Sequence, residues 1–209
     1  MVILYFEMKV KVFIFTLICI FLGVLINKQN ELIRIPKDER SLKETSNDII
    51  SGKITYINDG DSFILNNSIK IRLYAIDAPE LAQTCILNKE ILQENGETIS
   101  NTEEVKCGED AKNKLAELTK QYTVSCLPKG IDAYDRTVAE CYVEIKNRRT
   151  KKTDKVNINK EMVASGNAVA FLSFSDKYLD DENKAKHDNK GIWATTFDMP
   201  SVYRKKNHK

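Results

Sequence analysis

Three short stretches of the chain hold its densest polar cluster: Asp59-Gly60-Asp61-Ser62, then Arg72, then Asp77-Ala78-Pro79-Glu80. Carboxylates gathered in one place repel one another unless a cation lies among them. A set of ligands made only of oxygen selects a hard cation, Ca²⁺ or Mg²⁺. Asp-Gly is also a common turn signal, so on residue types alone a plain turn competes with a metal site.

For these stretches to meet, the elements around them must form a meander. Lys53 to Asn58 and Ser62 to Asn66 read as short strands about the Asp59-Gly60 turn. Asn66-Asn67 is a second turn. The third strand is Ser68 to Ile76, where Ile69, Ile71, Leu73 and Ala75 alternate with Lys70, Arg72 and Tyr74. A hairpin returns the end of its second strand to the start of its first, so Asp61 and the Asp77 turn can approach. Residues 81–108 are polar with an acidic excess and read as a long surface excursion. Glu109 to Gln121 is helical, with Ala111, Leu115 and Leu118 on one face. Tyr122 to Leu127 and Thr137 to Ile145 are two more strand candidates, joined through Pro128, Gly130 and a polar turn. Lys146 to Lys155 is a basic connection whose Lys146, Arg148, Arg149, Lys151 and Lys152 fit a solvated loop. Asn159 is the expected N-cap of a following helix, with Ile158 and Val163 as its hydrophobic staple and Gly166 as its stop. A last helix is expected from about Ser175 to Asn189. Three strands, a helix, two strands and two helices suit an α+β fold: a five-stranded OB-fold barrel with three packed helices.

The composition fits such a domain. The 209 residues are 42% hydrophobic, enough for a core, and the net charge of +2 excludes a histone-like polycation. Two histidines, neither near a cysteine, argue against zinc. Val12 to Ile26 is apolar apart from Thr16 and Gly23, with Lys9 and Lys11 before it. Residues 1–27 therefore read as a signal peptide or signal anchor, which implies an exported protein that meets the membrane only through this segment. Residues 28–50 read as a polar linker, 51–194 as the domain, and 195–209 as a disordered basic tail that includes Arg204, Lys205 and Lys206. In an oxidising compartment the even set Cys85, Cys107, Cys126 and Cys141 would form disulfides, with three pairings open to it.

The stretches Asp59 to Ser62, Ile71 to Glu80 and Asp135-Arg136-Thr137-Val138-Ala139 resemble the staphylococcal nuclease-like (thermonuclease) family. So do Gly166 to Phe174 and Lys190-Gly191-Ile192-Trp193. The resemblance spans roughly residues 51–194, and the four cysteines resemble those of its exported bacterial branch. It implies an OB-fold nuclease that cleaves DNA and RNA with Ca²⁺. By position, Asp61 and Asp77 match the carboxylate ligands and Ala78 the residue that offers its carbonyl. Glu80 matches the residue that activates water, and Arg72 and Arg136 the two phosphate-binding arginines. Those types suit the chemistry, because arginine keeps its charge and offers paired planar donors to a phosphate gaining charge.

Two departures stand out. The family often has Asp-Lys/Arg-Tyr-Gly-Arg where this chain has Asp132-Ala133-Tyr134-Asp135-Arg136. Phe171 and Phe174 stand at positions of family tyrosines near the nucleotide, so stacking can persist without the hydroxyls; Tyr134 completes the substrate-binding set. The competing reading is an OB-fold module that binds nucleic acid or protein without cutting. A monomer is expected. From the layout, Cys85 is expected to pair with Cys107 across the polar excursion. Cys126 is expected to pair with Cys141, on the partner strand of its hairpin.

Overall fold

The computed structural model describes residues 42–207, except 44, 45, 47, 93–97, 147, 148, 150 and 151. The expected export segment, most of the linker and part of the basic run 146–152 lie outside the described residues. Among those described, no helix is long and apolar enough to cross a membrane.

The chain first forms β1 (Ile50–Gly52), β2 (Ile54–Ile57), β3 (Ser62–Leu65), β4 (Ile69–Leu73) and the short β5 (Ile76–Asp77). β2, β3 and β4 are the expected meander. Asn66 and Asn67, in the turn between β3 and β4, both have positive φ, which asparagine tolerates better than most residues. Next come β6 (Cys85–Leu92), β7 (Thr98–Val105) and helix α1 (Cys107–Thr119). They are followed by β8 (Val124–Ile131), β9 (Thr137–Lys146), β10 (Thr153–Asn157) and helix α2 (Ile158–Ala164). The chain ends with β11 (Val169–Ala170), helix α3 (Leu179–His187), a 3₁₀ turn at Gly191–Ala194, β12 (Thr195–Thr196) and helix α4 (Pro200–Asn207).

Seven strands make one mixed sheet, ordered β1-β8-β9-β4-β3-β2, with β10 also on β9. The β4–β9 pair is parallel and places Arg72 beside Val138. Its end strands β1 and β2 follow one another in the chain with only Lys53 between them, so one stretch of chain pairs with β8 at one end of the path and with β3 at the other. A mixed sheet with helices packed on it is the expected α+β class. Phe63, Leu65, Ile71 and Leu73 from the meander pack with Leu115 of α1, Val124 and Val143 of β8 and β9, and Ile158 and Met162 of α2. Each is at most 1% exposed, so this inner face is dry and supplies most of the hydrophobic stabilisation.

Several expectations need correction. The surface excursion expected over residues 81–108 contains strands that were not expected: β6 and β7 pair antiparallel from Cys85↔Val105 to Leu92↔Thr98. The ribbon was hidden because its strands lack apolar alternation; it stands off the core, and Ile86, Asn88 and Lys89 are exposed. Thr153 to Lys155, expected as connection, belong to β10, which pairs with β9 as a charged edge strand. β8 runs through Pro128 because the register shifts between Pro128 and Gly130, an irregularity that tolerates a missing donor. The N-cap of α2 is Asn157, whose side chain accepts from the Lys160 N–H. Asn159 is instead fully buried. Its Oδ1 accepts from the Cys141 N–H at 2.9 Å, and its Nδ2 donates to the Tyr74 carbonyl at 2.9 Å and the Ala139 carbonyl at 3.2 Å. The last residues do not trail away as a tail: 200–207 form α4, a fourth helix where three were expected.

Both expected disulfides form, Cys85–Cys107 and Cys126–Cys141. The second joins directly opposed residues of β8 and β9. The first joins the base of the ribbon to the first residue of α1.

Candidate active site

Asp61 follows the Asp59-Gly60 turn, and its backbone is fixed from two sides. Its N–H donates to Asp59 Oδ1 at 2.9 Å and its carbonyl accepts from the Leu73 N–H at 2.8 Å. Ser62, at the start of β3, is opposite Arg72 on β4 and donates to Asp61 Oδ1 at 2.8 Å. Arg72 reaches both expected metal-binding carboxylates, Asp61 Oδ2 at 2.7 Å and Asp77 Oδ1 at 3.0 Å. Ala78, expected to contribute its carbonyl, donates its N–H to Asp61 Oδ2 at 2.7 Å. The hairpin thus brings Asp61, Arg72 and Asp77 together as the meander predicted. Asp61 is 5%, Arg72 8% and Asp77 1% exposed.

Glu80 is held by its backbone. Its N–H donates to Gln83 Oε1 at 3.3 Å, and its carbonyl accepts from the Gln83 N–H at 2.7 Å. Gly108, in the first turn of α1, lies so close that a Cβ built there would stand 1.9 Å from the Glu80 carbonyl oxygen. Only glycine allows α1 to approach this turn.

Arg136 is organised by Asp132, four residues earlier. Asp132 Oδ1 accepts from the N–H groups of Tyr134 and Arg136, both at 3.0 Å. Its Oδ2 accepts from Arg136 Nε at 2.8 Å and pairs with Nη2 at 2.7 Å. A third donor, Nη1, reaches Ser62 Oγ at 3.3 Å. Asp135 has φ of 59°, the left-handed conformation that explains the glycine often found there in the family. The Arg136 guanidinium lies 5.3 Å from the ring of the exposed Tyr134.

These groups open onto one cavity of about 260 Å³. Asp61, Arg72, Glu80 and Arg136 are among its polar lining, and Tyr134, Phe171 and Phe174 supply its aromatic lining. Asp77 is not part of the lining and lies buried behind Arg72. Phe171 and Phe174 meet edge to face at 5.1 Å, and Tyr74 stacks on Phe174 at 5.9 Å. β11, paired to β5 so that Val169 faces Asp77, carries this aromatic pair to the carboxylates.

Two further residues join the site. Asp59 lines the cavity, and its carboxyl is pushed up to about 7, by burial first and by the charge of Asp61 second. The other is Arg204 of α4. Its Nη1 contacts Asp77 Oδ1 and Glu80 Oε1, each at 2.9 Å, and its Nη2 contacts Asp77 Oδ2 at 3.0 Å. Burial raises the Asp77 pKa, and the charges of Arg72 and Arg204 pull against it. For Arg72 burial opposes the charge, but Asp61, Asp77 and Asp59 outweigh it, and the net shift is upward. No local pattern in the sequence points to Arg204; only its basic type did, and that fits a tail. Asp132 carried a readable signal, an Asp opening a polar turn that ends in arginine.

Among the described residues, no three His, Cys, Asp or Glu groups are arranged as a metal cage. The donors nevertheless fit a hard cation in type: Asp61 and Asp77 offer carboxylate oxygens beside the cavity. In the present arrangement Arg72 pairs with both of them, and Arg204 with Asp77.

The family model described as "Staphylococcal nuclease homologue" matches residues 70–195, which include Arg72, Asp77, Glu80, Arg136 and all four disulfide cysteines. The chain is 31% identical over 160 residues to the "Uncharacterized endonuclease" of Haemophilus influenzae, covering 73% of this chain and 72% of that protein. It is 27% identical over 150 residues to the "Micrococcal nuclease" of Shigella flexneri, covering 68% of this chain and 73% of that protein. With the cavity, the paired arginines and the buried carboxylates in place, these matches identify the chain as a member of the staphylococcal nuclease family, a nuclease acting on nucleic acid.

Proposed function

We propose that this nuclease hydrolyses phosphodiester bonds of DNA or RNA with Ca²⁺ held by Asp61, Asp77 and the Ala78 carbonyl. The observation that carries the reading is the convergence of Asp61, Arg72, Glu80 and Arg136 on one cavity, with Asp77 directly behind. When bound, the cation would place positive charge beside the phosphate and lower the pKa of a water molecule. Arg136, aimed by Asp132, and Arg72 hold the non-bridging phosphate oxygens as their charge grows. Glu80 takes a proton from the water whose oxygen bonds to phosphorus, and the opposite P–O bond breaks. Tyr134, Phe171 and Phe174 offer faces on which a base can stack.

The same proposal includes export through residues 12–26 and action as a monomer outside the cytoplasm. The two disulfides support an oxidising compartment. The test is nicking of supercoiled plasmid by the purified chain with Ca²⁺ or with chelator, beside Asp61→Asn. Cleavage is expected only with Ca²⁺, and Asp61→Asn is expected to be severely impaired. Full activity in excess chelator would overturn the metal reading.

A further inference from the structure

The geometry points to helix α4 as a built-in competitor for the cation: Arg204 occupies the carboxylates as a stand-in charge, and α4 must release them before a divalent cation can bind. This inference rests on the proposed cation site.

Two observations carry it. First, Arg204 spends its donors on the site. Its fork takes both oxygens of Asp77 and one of Glu80, three charge-assisted bonds from a single side chain. A carboxylate oxygen held this way has little capacity left for a metal, and a guanidinium and a divalent ion cannot share the space between Asp77 and Glu80. Second, the helix is docked by contacts of its own. Buried Gln83, which also braces the Glu80 N–H, donates Nε2 to the Asp198 carbonyl at 2.7 Å. Tyr203 donates its hydroxyl to the Ala82 carbonyl at 3.2 Å. α4 is therefore tied to the same turn that presents Glu80.

The electrostatics favour exchange over permanent closure. Asp61, Asp77 and Glu80 are held by two guanidiniums, Arg72 and Arg204, while Arg136 is committed to Asp132. Three carboxylates against two guanidiniums leave the set under-neutralised, whereas a divalent cation in place of Arg204 balances it. The Arg204 side chain is 25% exposed, so water can solvate it as it leaves. The apparent affinity for the cation is then the intrinsic affinity reduced by the fraction of molecules with α4 withdrawn. A docked fraction of about nine-tenths or more weakens binding roughly tenfold or more.

The experiment is calorimetric titration of Ca²⁺ into the full chain and its Arg204→Gln, Tyr203→Ala and Asp61→Asn variants, with circular dichroism to verify folding. Arg204→Gln is expected to bind Ca²⁺ at least tenfold more tightly. Tyr203→Ala, which loosens the helix without touching a carboxylate, is expected to shift affinity the same way by less. In the wild type, Ca²⁺ is expected to speed tryptic cleavage at Arg204 to Lys206. Unchanged affinity in Arg204→Gln, with binding lost in Asp61→Asn, would overturn the competitor and leave the cation site standing. Lower plasmid cleavage by Arg204→Gln at unchanged affinity would make Arg204 a phosphate contact and also overturn it. No Ca²⁺ binding by wild type or Arg204→Gln would overturn the cation site, and the competitor with it.

Discussion

Arg136 shows how much a single side chain depends on its neighbour. Three of its nitrogens, the backbone N–H among them, bond to Asp132, and one donor remains directed at Ser62. Removing the guanidinium in Arg136→Ala is expected to lower phosphodiester cleavage by ~10²–10³ with the fold retained. Asp132→Ala keeps the guanidinium but loses its aim, and a misplaced catalytic group costs up to about 10²-fold. Plasmid-nicking rates for both variants check this; a fully active Asp132→Ala would show that Arg136 aims itself. Asp59 gives a pH signature at the same scale. Its carboxyl is raised to about 7 from an ordinary 3.8, so the folded protein keeps this proton after the unfolded chain has released it. The stability this contributes is full below about pH 4 and is lost as pH rises through 7. Asp59→Asn retains an acceptor for the Asp61 N–H but cannot ionise. In chelator, its melting temperature is expected to exceed the wild type's above pH 7 and the gap to close on acidification. A gap that is constant from pH 4 to pH 8 would refute the shift.

At the scale of elements, what was legible follows from periodicity and covalent chemistry. The meander carries alternating residues with turn signals between its strands, so the approach of Asp61, Arg72 and Asp77 could be read from order alone. The disulfides followed from layout. What escaped had no periodic core face: the β6–β7 ribbon lacks apolar alternation, and the Arg204 helix is fixed by polar contacts to residues over a hundred positions away. Asn159 escaped for a different reason, because the same residue type serves as an N-cap or as a buried bridge, and only tertiary context selects between them. The contact between α1 and the Glu80 turn yields a prediction. In Gly108→Ala the new Cβ would stand 1.9 Å from the Glu80 carbonyl oxygen and 2.7 Å from that of Leu81, both of them backbone atoms. Something must shift, and overpacking of this kind costs about 1–3 kcal/mol. Gly108→Ala is expected to lower both stability and cleavage, because the displaced backbone is that of Glu80. Denaturant unfolding beside the nicking assay separates the two effects. Wild-type values for both would mean that α1 does not set the Glu80 turn.

Over the whole molecule, the sheet and the helices are joined by a second buried polar centre, away from the cavity. Glu140 on β9 is 3% exposed and accepts from the Tyr178 hydroxyl at 2.8 Å. It also pairs with Lys177 and, at 3.2 Å, with Lys129 of β8. Asn157, the cap of α2, donates to the same Tyr178 hydroxyl at 3.3 Å. One carboxylate therefore links β8 and β9 to the segment that starts α3, and through Tyr178 to the start of α2. Burial opposes its ionisation, but the bonds from Lys177, Tyr178 and Lys129 outweigh burial and hold its pKa below the ordinary 4.5. A depressed carboxyl contributes stability that is present above its unfolded value and is lost as pH falls through its folded value. Glu140→Gln keeps the shape and removes the charge, at an expected cost of about 1.5–3 kcal/mol near neutral pH. The stability difference from wild type is expected to be full above pH 5 and to shrink as pH falls below 4.5, where the wild-type carboxylate also becomes neutral. Asp59 gives the opposite slope over an overlapping range, so the Glu140 contribution is isolated by comparing Asp59→Asn with Asp59→Asn/Glu140→Gln. Equal stability of those two proteins at pH 7 would show that the links between sheet and helices rest on the apolar core alone.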